Sequence, residues 1–228
     1  LPEHYIVEAT GQLINEQQVL PPTLKQKLQI SNFARKPINS APSVIIPPSS
    51  KTKTWHYFAE NVHDFAWTAD PSYRIAEVNW NGIKCVAIAQ ENNAAGWQAT
   101  AQFTSEVIAL YSRNFGKYEY PKIVVADAAD GMEYPMLTLC GGYYPSHRNL
   151  IAHEVGHNWF MGMVGSNETY RASLDEGFTQ FLTAFALSKL KVSYFPEYYQ
   201  VYAGYIYDAI DGKDMPLNTH SNEFNDAV

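Results

Sequence analysis

Apolar residues change their spacing several times along the 228-residue chain, and each change marks an element. Residues 4–10 contain the short apolar run Tyr5-Ile6-Val7, which reads as a strand. Leu24, Leu28 and Phe33 predict a short helix over 24–33 with those three side chains inward. The pattern lapses over 37–53, where Pro42, Pro47, Pro48, Ser49 and Ser50 mark an exposed connection. Aromatic residues then return in a β-prone stretch, 54–67, with Trp55, Tyr57, Phe58, Phe65 and Trp67. A stable sheet normally needs three or more strands with a covered face, so these strands are expected to find partners outside the chain.

From residue 69 the pattern becomes α+β. Val78-Asn79-Trp80 and Lys84-Cys85-Val86-Ala87-Ile88 flank Asn81-Gly82, a strong hairpin signal. Residues 94–115 read as a helix ended by Gly116, and Ile123-Val124-Val125 and 136–139 as buried strands. Two helices follow, one from about Pro145-Ser146, with Ser146 as candidate N-cap, and one from about Ser173. Their apolar faces carry Leu150, Ile151, Val155 and Phe160, then Leu174, Phe178, Phe181, Leu182 and Phe185. A last helix near 196–210 carries Tyr198, Tyr202 and Tyr205 at helical spacing, expected as core packing, and 216–228 is polar and irregular. The expected division is a β region over 1–68 and an α+β domain over 69–228.

Composition narrows the class. With 46% hydrophobic and 14% aromatic residues the chain can bury a substantial core. A net charge of −7 argues against nucleic acid or an anionic membrane as the main partner. No run of eighteen apolar residues offers a membrane span. The start, Leu1-Pro2-Glu3-His4, is neither Met nor a signal peptide, so the chain is expected to be a piece of a longer protein. Cys85 and Cys140 lie in apolar runs and read as small buried hydrophobes, with a disulfide as the alternative.

The chemistry concentrates in His153-Glu154-Val155-Gly156-His157, followed after residues 158–175 by Glu176. Positions i and i+4 share a helix face, so the two imidazoles can meet one ion. Glu154 sits about 100° round the helix, placed to hold a water that the metal acidifies. Two histidines and a carboxylate suit a catalytic zinc with one open position. A competing reading makes Ser173-Leu174-Asp175-Glu176 a capping box, with Glu176 bonded back to Ser173.

A second segment, Asp130-Gly131-Met132-Glu133-Tyr134-Pro135, precedes the first histidine by about twenty residues. Gly131-Met132-Glu133, His153-Glu154…His157-Asn158-Trp159-Phe160 and Leu174-Asp175-Glu176-Gly177-Phe178 together resemble the zinc aminopeptidases of the aminopeptidase N and leukotriene hydrolase family, a branch of the gluzincins. Residues 54–67 resemble the end of that family's N-terminal β domain. The resemblance implies a thermolysin-like α+β catalytic domain, one zinc ion on His153, His157 and Glu176, and Glu154 as general base. It makes peptides with a free N-terminus the substrates. Glu133 would bind their α-amine, with Met132 beside it and Gly131 allowing close backbone approach.

Three departures stand out. Asp130 replaces a usual glycine and Tyr134 a frequent asparagine, which unsettles the loop geometry and the pocket for the first side chain. The family's oxyanion-stabilising tyrosine lies farther on than the 52 residues after Glu176 reach. The chain alone is therefore expected to be a weak peptidase that self-associates through uncovered aromatic surface. A thermolysin-like endopeptidase, an epoxide hydrolase and an inert metal-binding fragment remain as alternatives.

Overall fold

The computed structural model describes residues 1–37, 40–192 and 199–223, so Tyr198 and the end of the polar tail lie outside the described residues. The N-terminal region forms β1 (Ile6–Ala9), β2 (Gln12–Leu13), α1 (Glu16–Val19), α2 (Pro22–Leu28), β3 (Tyr57–Phe58) and β4 (Trp67–Asp70). β1 pairs antiparallel with β4, and β2 with β3. The helix expected over 24–33 is broken at Gln29, whose extended backbone bridges to Ile75, and resumes as a 3-10 turn over Ile30–Phe33.

The remainder is built on a five-stranded sheet. β5 (Tyr73–Trp80) and β6 (Ile83–Gln90) form the expected hairpin, with Asn81 and Gly82 both at positive φ. After α3 (Thr100–Phe115) come β7 (Lys122–Asp127), β8 (Met132–Tyr134) and β9 (Leu137–Cys140). The sheet order is β5-β6-β7-β9-β8; β6, β7 and β9 run parallel, and the edges β5 and β8 are antiparallel to their neighbours. Strand alternation divides the interior. Cys85, Ala87, Ile123 and Val125 face a core shared with α3, α4 (Arg148–His157) and α5 (Ala172–Lys189). Val86, Ile88, Val124 and Leu137 face a second core closed by Ile6, Val19, Leu20 and Leu28 of the N-terminal region. Both cysteines are buried and free, which removes the disulfide alternative.

Ion pairs fasten the N-terminal region to this sheet, among them Lys25 with Glu77 at 2.7 Å and Lys84 with Glu16 at 3.0 Å. Lys122 reaches Glu8 at 2.8 Å inside the second core. Glu91, fully buried, accepts from Arg74 Nε at 2.7 Å and from Arg74 Nη2, Lys36 and the Ser43 amide and hydroxyl. That clasp ties down one point of the proline-rich connection, which is otherwise largely exposed as expected.

Several local expectations are corrected. Ser146 does not cap α4; its hydroxyl donates to the Tyr143 carbonyl, and His147 occupies the cap position. α4 passes after His157 into a π-helical run, Asn158–Met163. α5 begins at Ala172 with no side-chain cap, so Glu176 lies beyond its first turn and the capping-box reading fails. The tyrosines of α6 (Tyr199–Ile210) do not pack into a core: Tyr202 and Tyr205 are 62% and 57% exposed.

Burial pushes the Glu91 carboxyl up, but its hydrogen bonds with Lys36, Ser43 and Arg74 outweigh this and hold it below its ordinary 4.5. The clasp's contribution is therefore full above about pH 4.5 and fades as pH falls through the lower folded value. Glu91→Ala, which leaves Arg74 buried without its partner, is expected to cost roughly 3–5 kcal/mol at neutral pH. Urea unfolding from pH 7 to pH 3 checks both points: the acid-side loss should be smaller in the variant.

Candidate metal centre

α4 is anchored at both ends of its first turns. His147 stacks on Trp97 at 5.1 Å and lies 3.0 Å from Thr100 Oγ1. The Tyr111 hydroxyl of α3 donates to the Ala152 carbonyl at 3.0 Å. α5 packs along α4, and Phe178 stacks on Phe160 at 4.5 Å. These contacts fix the faces on which the polar residues meet.

His153 Nε2 and His157 Nε2 lie 3.2 Å apart, with Glu176 Oε2 at 3.3 Å from the first and 3.7 Å from the second. Three ligands tetrahedrally disposed at about 2.0–2.1 Å from an ion stand roughly 3.3 Å from one another. The outer ring nitrogens have partners of their own. His157 Nδ1 lies 2.5 Å from Asp175 Oδ1, both residues being buried. His153 Nδ1 lies 3.3 Å from Thr183 Oγ1, whose proton is donated to the Thr179 carbonyl at 2.7 Å. If both Nδ1 atoms donate, both Nε2 lone pairs point at the same space. Lone pairs so placed repel unless a cation lies between them, so the donor set fits a metal ion. Burial alone would depress the His157 pKa, but Asp175 carries it above the ordinary value, and the bond to His153 holds Glu176 below its own.

Glu154 is 4% exposed, and its Oε2 is buried with no hydrogen-bond partner among the described residues. Burial, with Glu133 next in weight, pushes its carboxyl up to about 8. Oxygens of Glu133 and Glu154 and a nitrogen of His157 all lie within 4.8 Å of one another. Glu133 sits mid-way along edge strand β8, and burial raises its pKa also. Met132 and Tyr134 take the opposite face by alternation, and Tyr134 packs against the second core. Gly131 serves the base rather than open space: a Cβ there would stand 2.2 Å from Glu154 Oε1 and 2.9 Å from Leu150 Cδ1. Asp130 accepts the Gly131 amide at 2.9 Å, and its charge bears on Glu154.

Three residues at the site escaped the sequence reading. Asp175 carried a signal, as a carboxylate beside a candidate ligand, where a histidine's second nitrogen commonly finds its partner. Thr183 carried none. Glu168, in the loop before α5, brings a carboxylate oxygen within 4.8 Å of those of Glu133 and Asp175; no motif marks it.

No protein-family profile and no curated protein matches the sequence. The fold does match solved structures. An M1 zinc metallopeptidase from Deinococcus radiodurans aligns over 99% of this chain at a TM-score of 0.67 and 16% identity. A point mutant of an M1 zinc metallopeptidase from that organism aligns over 96% at 0.63 and 15%, and one bound to a Tyr-Ser-Ala substrate over 99% at 0.61 and 15%. The chain spans 45% to 47% of the length of these proteins. At such identity the likeness is one of fold: the chain has a mixed α/β architecture found in M1 zinc metallopeptidases.

Asp175→Asn is expected to weaken metal affinity about 10- to 100-fold, read by titration against a chelating dye. Gly131→Ala should leave metal content unchanged while displacing the Glu154 carboxylate, visible in a crystal structure of the variant.

Proposed function

We propose that this chain is the catalytic portion of a zinc aminopeptidase with a thermolysin-like domain over 69–228, preceded over 1–68 by the end of a β domain. The observation that carries the reading is the convergence of His153, His157 and Glu176 on one point, with Glu154 and Glu133 beside it. The fold likeness to zinc metallopeptidases, one of them bound to a tripeptide, supports the same reading.

His153, His157 and Glu176 would hold the zinc. When bound, zinc polarises a scissile carbonyl and makes water a competent nucleophile near neutral pH. Glu154 accepts the proton of the attacking water at its unpartnered oxygen and returns it to the leaving amine. Glu133 pairs with the substrate's α-ammonium through a charge-assisted hydrogen bond and so sets cleavage after the first residue. Met132, turned to the other face, would contribute through its backbone, and Gly131 keeps the base's position clear.

The test is hydrolysis of peptides with free and with acetylated N-termini, beside metal analysis. Glu154→Gln should keep its zinc and lose about 100- to 10,000-fold in turnover, since only proton transfer is removed. Glu176→Ala should lose metal as well. Glu133→Ala should keep metal and weaken activity on free-amine substrates. Equal cleavage of blocked and free peptides would replace the aminopeptidase by an endopeptidase, and equal metal loss in the Glu154 and Glu176 variants would sink the division of roles.

A further inference from the structure

Asn158 follows His157 directly and opens the π-helical run. It is fully buried, and its Oδ1 accepts the Met136 backbone N–H at 3.1 Å. The Tyr118 hydroxyl lies 3.3 Å from that oxygen and 3.0 Å from the Lys122 carbonyl, between which its one proton is shared. A backbone N–H can only donate, so Met136 fixes which end of the carboxamide faces it. Among the described residues the Nδ2 end has no partner, so hydrogen bonding at this side chain is all acceptance, at one oxygen.

Met136 is itself unusual. It sits at a φ of +60°, a conformation uncommon outside glycine. There the chain doubles back from β8 to β9; the Met136 carbonyl accepts from Val124 of β7 at 2.9 Å while its N–H reaches Asn158. β8, which carries Glu133, has three residues and, among the described residues, a single neighbouring strand. Its placement against α4 therefore leans on this turn, and the turn is fastened to the residue after His157.

We propose that Asn158 is a positioning residue that fixes Glu133 relative to His157, and so sets the distance between the amine anchor and the scissile bond. The inference rests on the reading of Glu133 as that anchor. One residue of peptide must span from Glu133 to the carbonyl beside His157, and consecutive Cα atoms are only about 3.8 Å apart. A short rigid span tolerates little error in either end. A carboxamide oxygen on the ligand-bearing segment ties the two ends together through a single buried hydrogen bond, with no side chain of its own in the reaction.

The experiment is a double-mutant cycle on the zinc-loaded chain in a Glu154→Gln background, where the probe is not turned over, using Asn158→Leu, which keeps the branched shape and removes the acceptor, and Glu133→Ala. The probe is L-leucinamide, its dissociation constant measured by calorimetry, with zinc content and melting temperature recorded for each variant. Each single variant is expected to weaken binding about 10- to 100-fold, as for loss of a hydrogen bond to a charged group. The double variant should bind no more weakly than Glu133→Ala alone, because Asn158 acts only through Glu133. Asn158→Asp, which keeps the acceptor, should restore binding. If Asn158→Leu does not fold with its zinc, Asn158→Ala takes its place in the cycle. Unchanged affinity in the Asn158 variant, or losses that multiply in the double variant, would overturn the proposal. If Glu133→Ala binds like the parent chain, the anchor reading falls and this inference with it.

Discussion

Gly156 lies where α4 runs against α5, and a Cβ at that position would stand 3.3 Å from Thr179 Cγ2 and 3.6 Å from Leu182 Cδ1. A methyl group there would press on α5 just where the helices need to be close. Glutamate has a short reach, and Glu176 approaches two imidazoles on another helix only because the helix axes come so near. The same closeness brings Asp175 to the far nitrogen of His157 and Thr183 to that of His153. The close approach of α4 and α5 at Gly156 thus accompanies the ligand triangle and the partners that orient it.

The centre is an electrostatic problem that the protein leaves unsolved by itself. Glu133, Glu154, Glu168, Asp175 and Glu176 crowd around two histidines, and burial leads the causes that raise the carboxyls of Glu133, Glu154 and Glu168. Carboxylates packed this way either take up protons or gather cations. On the proposed reading two cations answer this excess, a metal ion at the histidines and the substrate's ammonium at Glu133, and the crowded carboxylates would favour both.

The sequence was most legible where a local rule decides the outcome. Asn81-Gly82 announced its hairpin, Gly116 ended its helix, and the histidine pair fell on one helix face as its spacing requires. It was less legible where distant residues compete. Gln29 breaks a helix because Ile75 offers a bridge, and Ser146 turns to Tyr143 instead of capping α4. Ser173 loses its expected cap role because α5 starts earlier, at Ala172, which leaves Glu176 beyond the first turn. The tyrosines of α6 have the spacing of a buried stripe and yet stand exposed, since periodicity describes a face and not what lies opposite it. Glu168 and Thr183 have no motif at all; their nearness to the site is a product of tertiary folding.

The π-helical run after His157 sets the register between the two histidines and every site residue that follows them. A π turn holds more residues than an α turn, so the loss of one residue within 158–163 can relax the run to ordinary α geometry. Everything downstream would then rotate by about 100° against the catalytic turn, carrying the loop with Glu168 to another heading. Glu176, Asp175 and Thr183 lie downstream too, on α5, so the same rotation would carry the third ligand and both outer partners away from the histidines. The length of the run is therefore bound to the ligand triangle as tightly as the spacing of the histidines themselves.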